Sequence, residues 1–164
     1  MGIFKSAKHV AIGKKKFVEG RSFELIFDKI CSRFSIFSLE IPMGCKRTRF
    51  KIYPVKSPFD RVIASTDGKC AFLDLKSVGK GYKFSKSMVN ESQVRNLIMF
   101  EKRHQSAGYV VFFREINSIV FFRAGQLYDV LITSKSLSSE DGVNIGSLEN
   151  MEPLKIFRKE AYGI

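Results

Sequence analysis

The sequence predicts an α/β sandwich, a mixed central β-sheet flanked by helices, folded as one domain. Three observations predict it. Apolar residues recur at helical spacing early in the chain and again in its second half. Between and after those stretches lie short alternating or apolar runs bounded by Pro, Gly and Asn, which read as strands. The resulting order, helix, several strands, helix, two strands, helix, is that of a layered α/β domain. A length of 164 residues with 45% apolar content supplies one core, and sixteen Phe with no Trp make it a Phe-rich one.

Residues 1–18 hold five Lys and no acid and read as a basic arm. A helix is expected over 20–33, with Phe23, Phe27, Ile30 and Phe34 as its buried stripe, Ile26 widening it and Glu24 at its edge. Residues 34–41 read as a strand, broken by Pro42 to Gly44. Over 46–53 the chain alternates, placing Arg47, Arg49, Lys51 and Tyr53 on one face and Phe50 and Ile52 on the other. Five basic residues and no acid lie between Ile41 and Phe59, so this segment is either a basic hairpin or projecting ribbon, or a solvated strand face. Residues 60–65 and 70–76 form a hairpin around Thr66-Asp67-Gly68.

A Gly- and Lys-rich loop is expected over 79–88. A helix then runs from Asn90 to about Gln105, with Gly108 as its stop and His104 late enough to serve as a C-terminal dipole partner. Tyr109–Phe113 and Ile119–Arg123 are two more strands around a turn near Asn117, and Gln126–Ile132 a short helix. Residues 135–164, Ser- and Gly-rich, form a C-terminal extension packed over the body of the domain, 19–134.

The net charge is +12 and unevenly placed: residues 1–134 carry 24 Lys/Arg against 11 Asp/Glu, residues 135–164 carry 4 against 5. A basic body calls for a polyanionic partner. Cys31, Cys45 and Cys70 are an odd number without the spacing of a disulfide framework or a zinc site, which suits a reducing cytoplasm. The start Met1-Gly2-Ile3-Phe4-Lys5-Ser6 matches a myristoylation pattern that arises often by chance. Nothing else is membrane-directed, so no membrane partner is expected and the protein is placed in the cytoplasm (on the nucleoid in a bacterium, in host cytoplasm for a virus).

The chemistry concentrates in Ser57-Pro58-Phe59-Asp60-Arg61-Val62 and Ala71-Phe72-Leu73-Asp74-Leu75-Lys76-Ser77. On a strand, Asp74 and Lys76 share one face. Burying them costs several kcal/mol unless they are paired or bound to a cation. Asp60 starts the partner strand and can reach Asp74 at the open end of the hairpin. Two adjacent carboxylates repel unless a cation sits between them, and Mg²⁺, with Mn²⁺ as substitute, suits such a pair because it keeps several waters. Lys76 could then orient a nucleophile or neutralise developing charge. Standing alone, Asp-x-Lys is a very weak signal and reads first as a plain surface ion pair on an edge strand.

In order along the chain, Glu24 in Gly20-Arg21-Ser22-Phe23-Glu24, Asp60, Asp74-x-Lys76, Gln93 in Asn90-Glu91-Ser92-Gln93-Val94 and the strand Ala107–Phe113 form a pattern. It resembles the PD-(D/E)xK nuclease superfamily, and within it the RecU-like Holliday junction resolvases, over about Gly20 to Ile132. The resemblance implies a restriction-endonuclease-like core with a basic β-ribbon at 44–53. It implies a catalytic set Glu24, Asp60, Asp74, Lys76 and Gln93, with Asp60, Asp74 and Glu24 as metal ligands. It further implies a homodimer that binds branched or duplex DNA through Lys14, Lys15, Lys16, Lys46, Arg47, Arg49, Lys51, Lys80, Lys83 and Lys86. Two positions depart from the pattern: Phe59 separates Pro58 from Asp60, and the second acid is Asp where RecU-like enzymes have Glu. Glu24 is open between a metal ligand and a helix-dipole charge, with Glu19 nearby, and Gln93 between a substrate-side role and the capping box Asn90-x-x-Gln93.

The expected function is a Mg²⁺-dependent, structure-selective DNA endonuclease, a junction resolvase of recombination or repair. The alternatives are a restriction- or repair-type nickase on the same fold and a non-catalytic basic DNA-binding module.

Overall fold

In the computed structural model, residues 21–42, 44–49, 51–55, 57–103 and 105–158 are described. Helix α1 covers residues 21–33. It is followed by β1 (Phe37–Glu40), β2 (Gly44–Arg47), β3 (Ile52–Val55), β4 (Arg61–Ala64), β5 (Cys70–Val78) and β6 (Lys83–Phe84). The second half holds α2 (Glu91–Glu101), β7 (Ser106–Phe113), β8 (Ser118–Arg123), α3 (Ala124–Thr133), β9 (Leu137–Ser138) and β10 (Val143–Gly146). A six-stranded sheet has the order β1-β4-β5-β7-β8-β10. Only β5 and β7 run parallel, joined by the crossover that contains α2; the other neighbours are antiparallel. The expected mixed sheet flanked by helices is therefore the observed architecture.

Strand alternation sorts the core into two layers. Ile63, Leu73, Leu75, Val110, Phe112 and Phe121 point towards α1, where Phe23, Phe27 and Ile30 meet them. Tyr109, Val111, Phe113, Val120 and Phe122 point the other way, onto Val94 and Leu97 of α2 and Leu127 of α3. With alternating faces both apolar, β7 is buried along its whole length. No helix among the described residues is long and apolar enough to cross a membrane.

Several elements differ from the sequence-based expectation for physical reasons. The first helix ends in a turn at Phe34 and Ser35, the latter at φ +56°, so Phe34 is exposed rather than part of the buried stripe. Gly108 is not a helix stop but lies inside β7. A Cβ there would stand 1.9 Å from the Phe122 carbonyl oxygen, so β7 and β8 can close only over glycine. Residues 46–53 are not one strand. The chain reverses at Thr48–Lys51, where the Thr48 amide donates to the Lys51 carbonyl at 2.8 Å, giving a separate two-stranded ribbon of β2 and β3. The C-terminal segment does more than cover the surface. It supplies the edge strand β10 and a 3-10 turn at Pro153–Phe157 whose Ile156 and Phe157 enter the α1-side core.

Candidate active site

The hairpin forms as its turn chemistry predicts. Gly68 takes φ +81°, its amide donates to the Ser65 carbonyl at 3.0 Å, and the Ser65 amide bonds the Lys69 carbonyl at 2.9 Å. β4 and β5 then pair with Arg61 opposite Leu73. One residue earlier, the Asp60 amide donates to the Leu73 carbonyl at 2.9 Å, and Asp60 Oδ2 accepts from the Leu75 amide at 3.1 Å. These two bonds fix the Asp60 carboxylate against the middle of β5, beside Asp74.

Asp74 is fully buried, 0% exposed, on the face of β5 that meets α2. Its Oδ1 accepts from Gln93 Nε2 at 2.7 Å. Its Oδ2 is in ion contact with the Lys76 ammonium but receives no well-directed hydrogen bond. Lys76 Nζ also sits 5.3 Å from the centre of the Tyr109 ring. Burial pushes the Asp74 carboxyl up to about 7; Lys76 pulls it down and Asp60 pushes it further up. A carboxyl carried this far from its ordinary range by its surroundings is what a reactive centre displays.

Gln93 reaches Asp74 because α2 starts where it does. Asn90 Oδ1 caps the helix by accepting from the Gln93 amide at 3.1 Å. The reciprocal half of a capping box is missing. The Asn90 amide donates instead to Tyr109 Oη at 3.2 Å, which releases the Gln93 side chain towards the sheet. Gln93 Oε1 is left buried without a donor. Tyr109 was not singled out in the sequence, where it is one residue of an apolar run. The parallel register places it directly beside Asp74.

Glu24 lies on the opposite side of β4 from this cluster. Its carboxylate is 3.5 Å from Arg61 Nη2 and 3.6 Å from Arg21 Nη1. Burial raises it above the usual range, and Arg61 opposes that shift. Arg61, also unremarked in the sequence, is 2% exposed and holds Asp28 through two bonds of 3.2 Å, Glu40 at 3.4 Å and the Asp60 carbonyl at 3.3 Å. The structure thus brings Asp60, Asp74, Lys76 and Gln93 together, while Glu24 is engaged by arginines. Among the described residues no three His, Cys, Asp or Glu stand close enough to hold a metal ion together.

Of the basic residues, Arg49 and Lys51 are exposed at the ribbon turn, and Lys80, Lys83 and Lys86 are exposed on the segment that leaves β5 just beyond Lys76. Lys86 Nζ donates to Ser134 Oγ at 3.1 Å. Lys46 and Arg47 fall in β2. Lys14, Lys15, Lys16, Glu19 and His104 lie outside the described residues.

The chain has the fold of an archaeal Holliday junction resolvase. One such match is to Hjc of Archaeoglobus fulgidus, with a TM-score of 0.54 at 14% identity, covering 77% of this chain and 96% of that one. At that identity the likeness is one of fold. A second solved structure, the protein SSO0001, aligns over 82% of this chain and 70% of its own with a TM-score of 0.41 and 13% identity. Neither a protein-family model nor a curated protein matches the sequence.

Proposed function

We propose that this protein is a divalent-metal-dependent endonuclease of the RecU-like type that cuts branched DNA in recombination or repair, acting as a homodimer in the cytoplasm. The observation that carries the proposal is the buried Asp74, held between Lys76, Gln93 and the neighbouring Asp60, on a fold shared with a junction resolvase. Asp74 Oδ2 meets only the Lys76 ammonium, and Gln93 Oε1 beside it is buried without a donor. Those atoms fit a hydrated Mg²⁺ or Mn²⁺, which needs only one or two carboxylates and fills its other positions with water and phosphate oxygens. Asp60 and Asp74 would hold it, with Glu24 joining only on leaving Arg61. When bound, such a cation supplies charge neutralisation at the phosphodiester and a more acidic water.

The chain's own groups do the rest. Gln93 orients the Asp74 carboxylate through its amide. The Lys76 ammonium, on the same strand face as Asp74, would meet a phosphate oxygen of the substrate. There it offsets the negative charge that builds as the bond to the leaving oxygen lengthens. The exposed cations of the ribbon and of residues 80–86 hold the phosphate backbone and contribute affinity without sequence reading.

The test is a panel of four-way junction, flap and linear duplex, each with Mg²⁺, with Mn²⁺ and with chelator, with nicks mapped by strand. Paired nicks on opposite strands of the junction, absent with chelator, are expected. Equal cutting of linear duplex at a sequence would instead identify a restriction- or repair-type nickase. Tight binding with no cutting in either metal would leave a DNA-binding module.

A further inference from the structure

Next to the cluster of Asp60 and Asp74 lies a cavity that the chemistry above leaves unused. It holds about 180 Å³ and is lined by Pro58, Phe59, Asn96, Met99, Phe100 and Arg103. Its position follows from two segments already placed. Phe59 directly precedes Asp60 and is the residue that separates Pro58 from that aspartate. On α2, Gln93, Asn96 and Phe100 fall at i, i+3 and i+7, with Arg103 just beyond the helix end. The stripe that meets Asp74 in the first turn of α2 therefore continues into the cavity wall. Phe72, two residues before Asp74 on the same face of β5, backs that wall. Its ring stacks on Phe100 with centroids 3.9 Å apart, and Phe59 packs edge-on against both, at 5.2 and 5.4 Å. Two residues of strand span about 7 Å, so the three rings stand beside the carboxylates.

Size and charge select the occupant. Pockets for drug-sized ligands run to roughly 300–1,000 Å³, so this smaller cavity suits a single ring system rather than a folded peptide segment. An aromatic wall suits the face of a planar ring. The C-terminal end of α2 is basic: Lys102 and Arg103 are exposed there, while Glu101 is turned to α3, where its carboxylate accepts from the Gly125 amide at 2.8 Å. An apolar side chain would use the rings and leave the guanidinium idle. A nucleotide uses both, its base on the rings and its phosphate on the arginine.

We propose that this cavity is a base-binding subsite. It takes one unpaired nucleobase of the strand that lies across Asp60 and Asp74, stacks it on Phe59 and Phe100, and holds the phosphate of that nucleotide with Arg103. Asn96, half-buried in the lining, offers its amide to the base edge. A base already unpaired enters without the cost of being taken out of its stack, which a base inside a continuous duplex must meet first. The subsite rests on the reading of the chain as a DNA nuclease and gives its preference for branched DNA a physical source. It is measured by binding rather than by cutting, so the two readings fail separately. A chain that prefers the base but never cuts keeps the subsite and loses the nuclease; one that cuts without that preference does the reverse.

The experiment measures binding of the full chain to dye-labelled four-way junctions by anisotropy, in chelator so that nothing is cut. At each position next to the branch, one nucleotide is in turn paired, mismatched or abasic. At one of these positions wild type should bind the mismatched junction about tenfold tighter than the abasic one, the worth of one stacked base. It should also bind it tighter than the paired junction, which must first give up its pairing. Asn96→Phe fills the cavity from α2, and Met99→Trp, at a side chain 57% exposed, fills it from the rim. Either variant that keeps the wild-type melting curve should bind all three junctions alike. Arg103→Gln leaves the cavity open and should weaken mismatched and abasic junctions equally, preserving the preference for the base. As a second measurement, 5-iodouracil at the selected position should crosslink to a peptide carrying Phe59 or Phe100. Equal wild-type affinity for mismatched and abasic junctions at every position overturns the proposal and leaves the cavity to an apolar side chain of a partner protein. A preference that survives in the filled variants, or a crosslink elsewhere, overturns it in favour of another face of the chain.

Discussion

Two buried charges sit on adjacent strands and face opposite sides of the same sheet. Arg61 of β4 points towards α1 and Asp74 of β5 towards α2. Arg61 is closed. Three carboxylates and a backbone carbonyl surround its guanidinium, matching the planar fork that lets arginine be buried at tolerable cost. Asp74 is open. It has one amide donor and one ion contact in place of a full set of hydrogen bonds, and Gln93 Oε1 beside it is left without a donor. The difference separates a node that only holds the fold from one proposed to do chemistry. The first node joins α1, β1 and β4 and needs nothing more. The second has spare coordination and a carboxyl pushed up to about 7.

The largest expected effect is on chemistry at the open node. Asp74→Asn and Lys76→Ala should each lower cleavage about 10³-fold or more, roughly 4 kcal/mol of barrier, while leaving junction binding within a few-fold. Asp60→Ala should do the same and also weaken Mg²⁺ binding in a calorimetric titration. Nicking and gel shift on one substrate decide it; full cleavage by Asp74→Asn or Lys76→Ala would remove this node as the active centre.

The closed node should respond in stability instead. Arg61→Met leaves Glu24, Asp28 and Glu40 facing one another without their shared cation and should cost about 3 kcal/mol. For a domain of this size that is on the order of 10 °C in Tm. Cleavage per folded molecule, assayed well below Tm, should fall less than tenfold. Loss of cleavage with an unchanged Tm would erase the contrast between the nodes.

A third measurement asks whether the open node is bought at the expense of stability. Asp74 has its folded pKa raised from 3.8 to about 7. The folded chain therefore binds the proton more tightly than the unfolded one. Its contribution to stability is complete below about pH 4, is lost as pH rises to about 7, and stays lost above. Asp74→Asn removes that loss. In chelator, the variant should match wild type near pH 4 and exceed it at pH 8, by at most about 4 kcal/mol. Thermal melts across that window check the sign, and a variant less stable than wild type at pH 8 would refute it.

Much of this was legible in the sequence, for local reasons. The β4–β5 hairpin follows from Thr66-Asp67-Gly68 and from alternation that puts Asp74 and Lys76 on one face. Asn90 as cap fixes the start of α2. What was not legible depends on register between distant strands. Tyr109 reads as one more apolar-run residue until parallel pairing sets it beside Asp74, and its hydroxyl then frees Gln93 from the capping box. Arg61 draws no notice in the sequence because its three acidic partners come from α1 and β1. Nor does the sparse periodicity after Lys135 reveal that Val143–Gly146 closes the sheet.

The smallest expected effect lies in the ribbon, which belongs to neither node. Phosphates would be held there by charge alone, so each cation should count for little and all alike. If about six phosphates are neutralised, log affinity against log salt should slope at roughly −5. Replacing Arg47, Arg49 and Lys51 with Gln should bring the slope to about −3 and weaken junction binding on the order of tenfold at fixed salt. The ribbon is its own two-stranded unit, set apart from the six-stranded sheet, and turns at Thr48–Lys51. Arg49 and Lys51 therefore lie at its tip rather than along one strand face, exposed where the ribbon ends. A tip that enters the centre of a four-way junction meets phosphates from several arms; against linear duplex it meets those of one helix. The triple variant should accordingly lose more on the junction than on duplex, while the cleavage rate at saturating DNA stays within twofold because neither node is touched. Equal losses on both substrates would make the ribbon a general phosphate contact, and a steep fall in the saturated rate would join it to the open node after all.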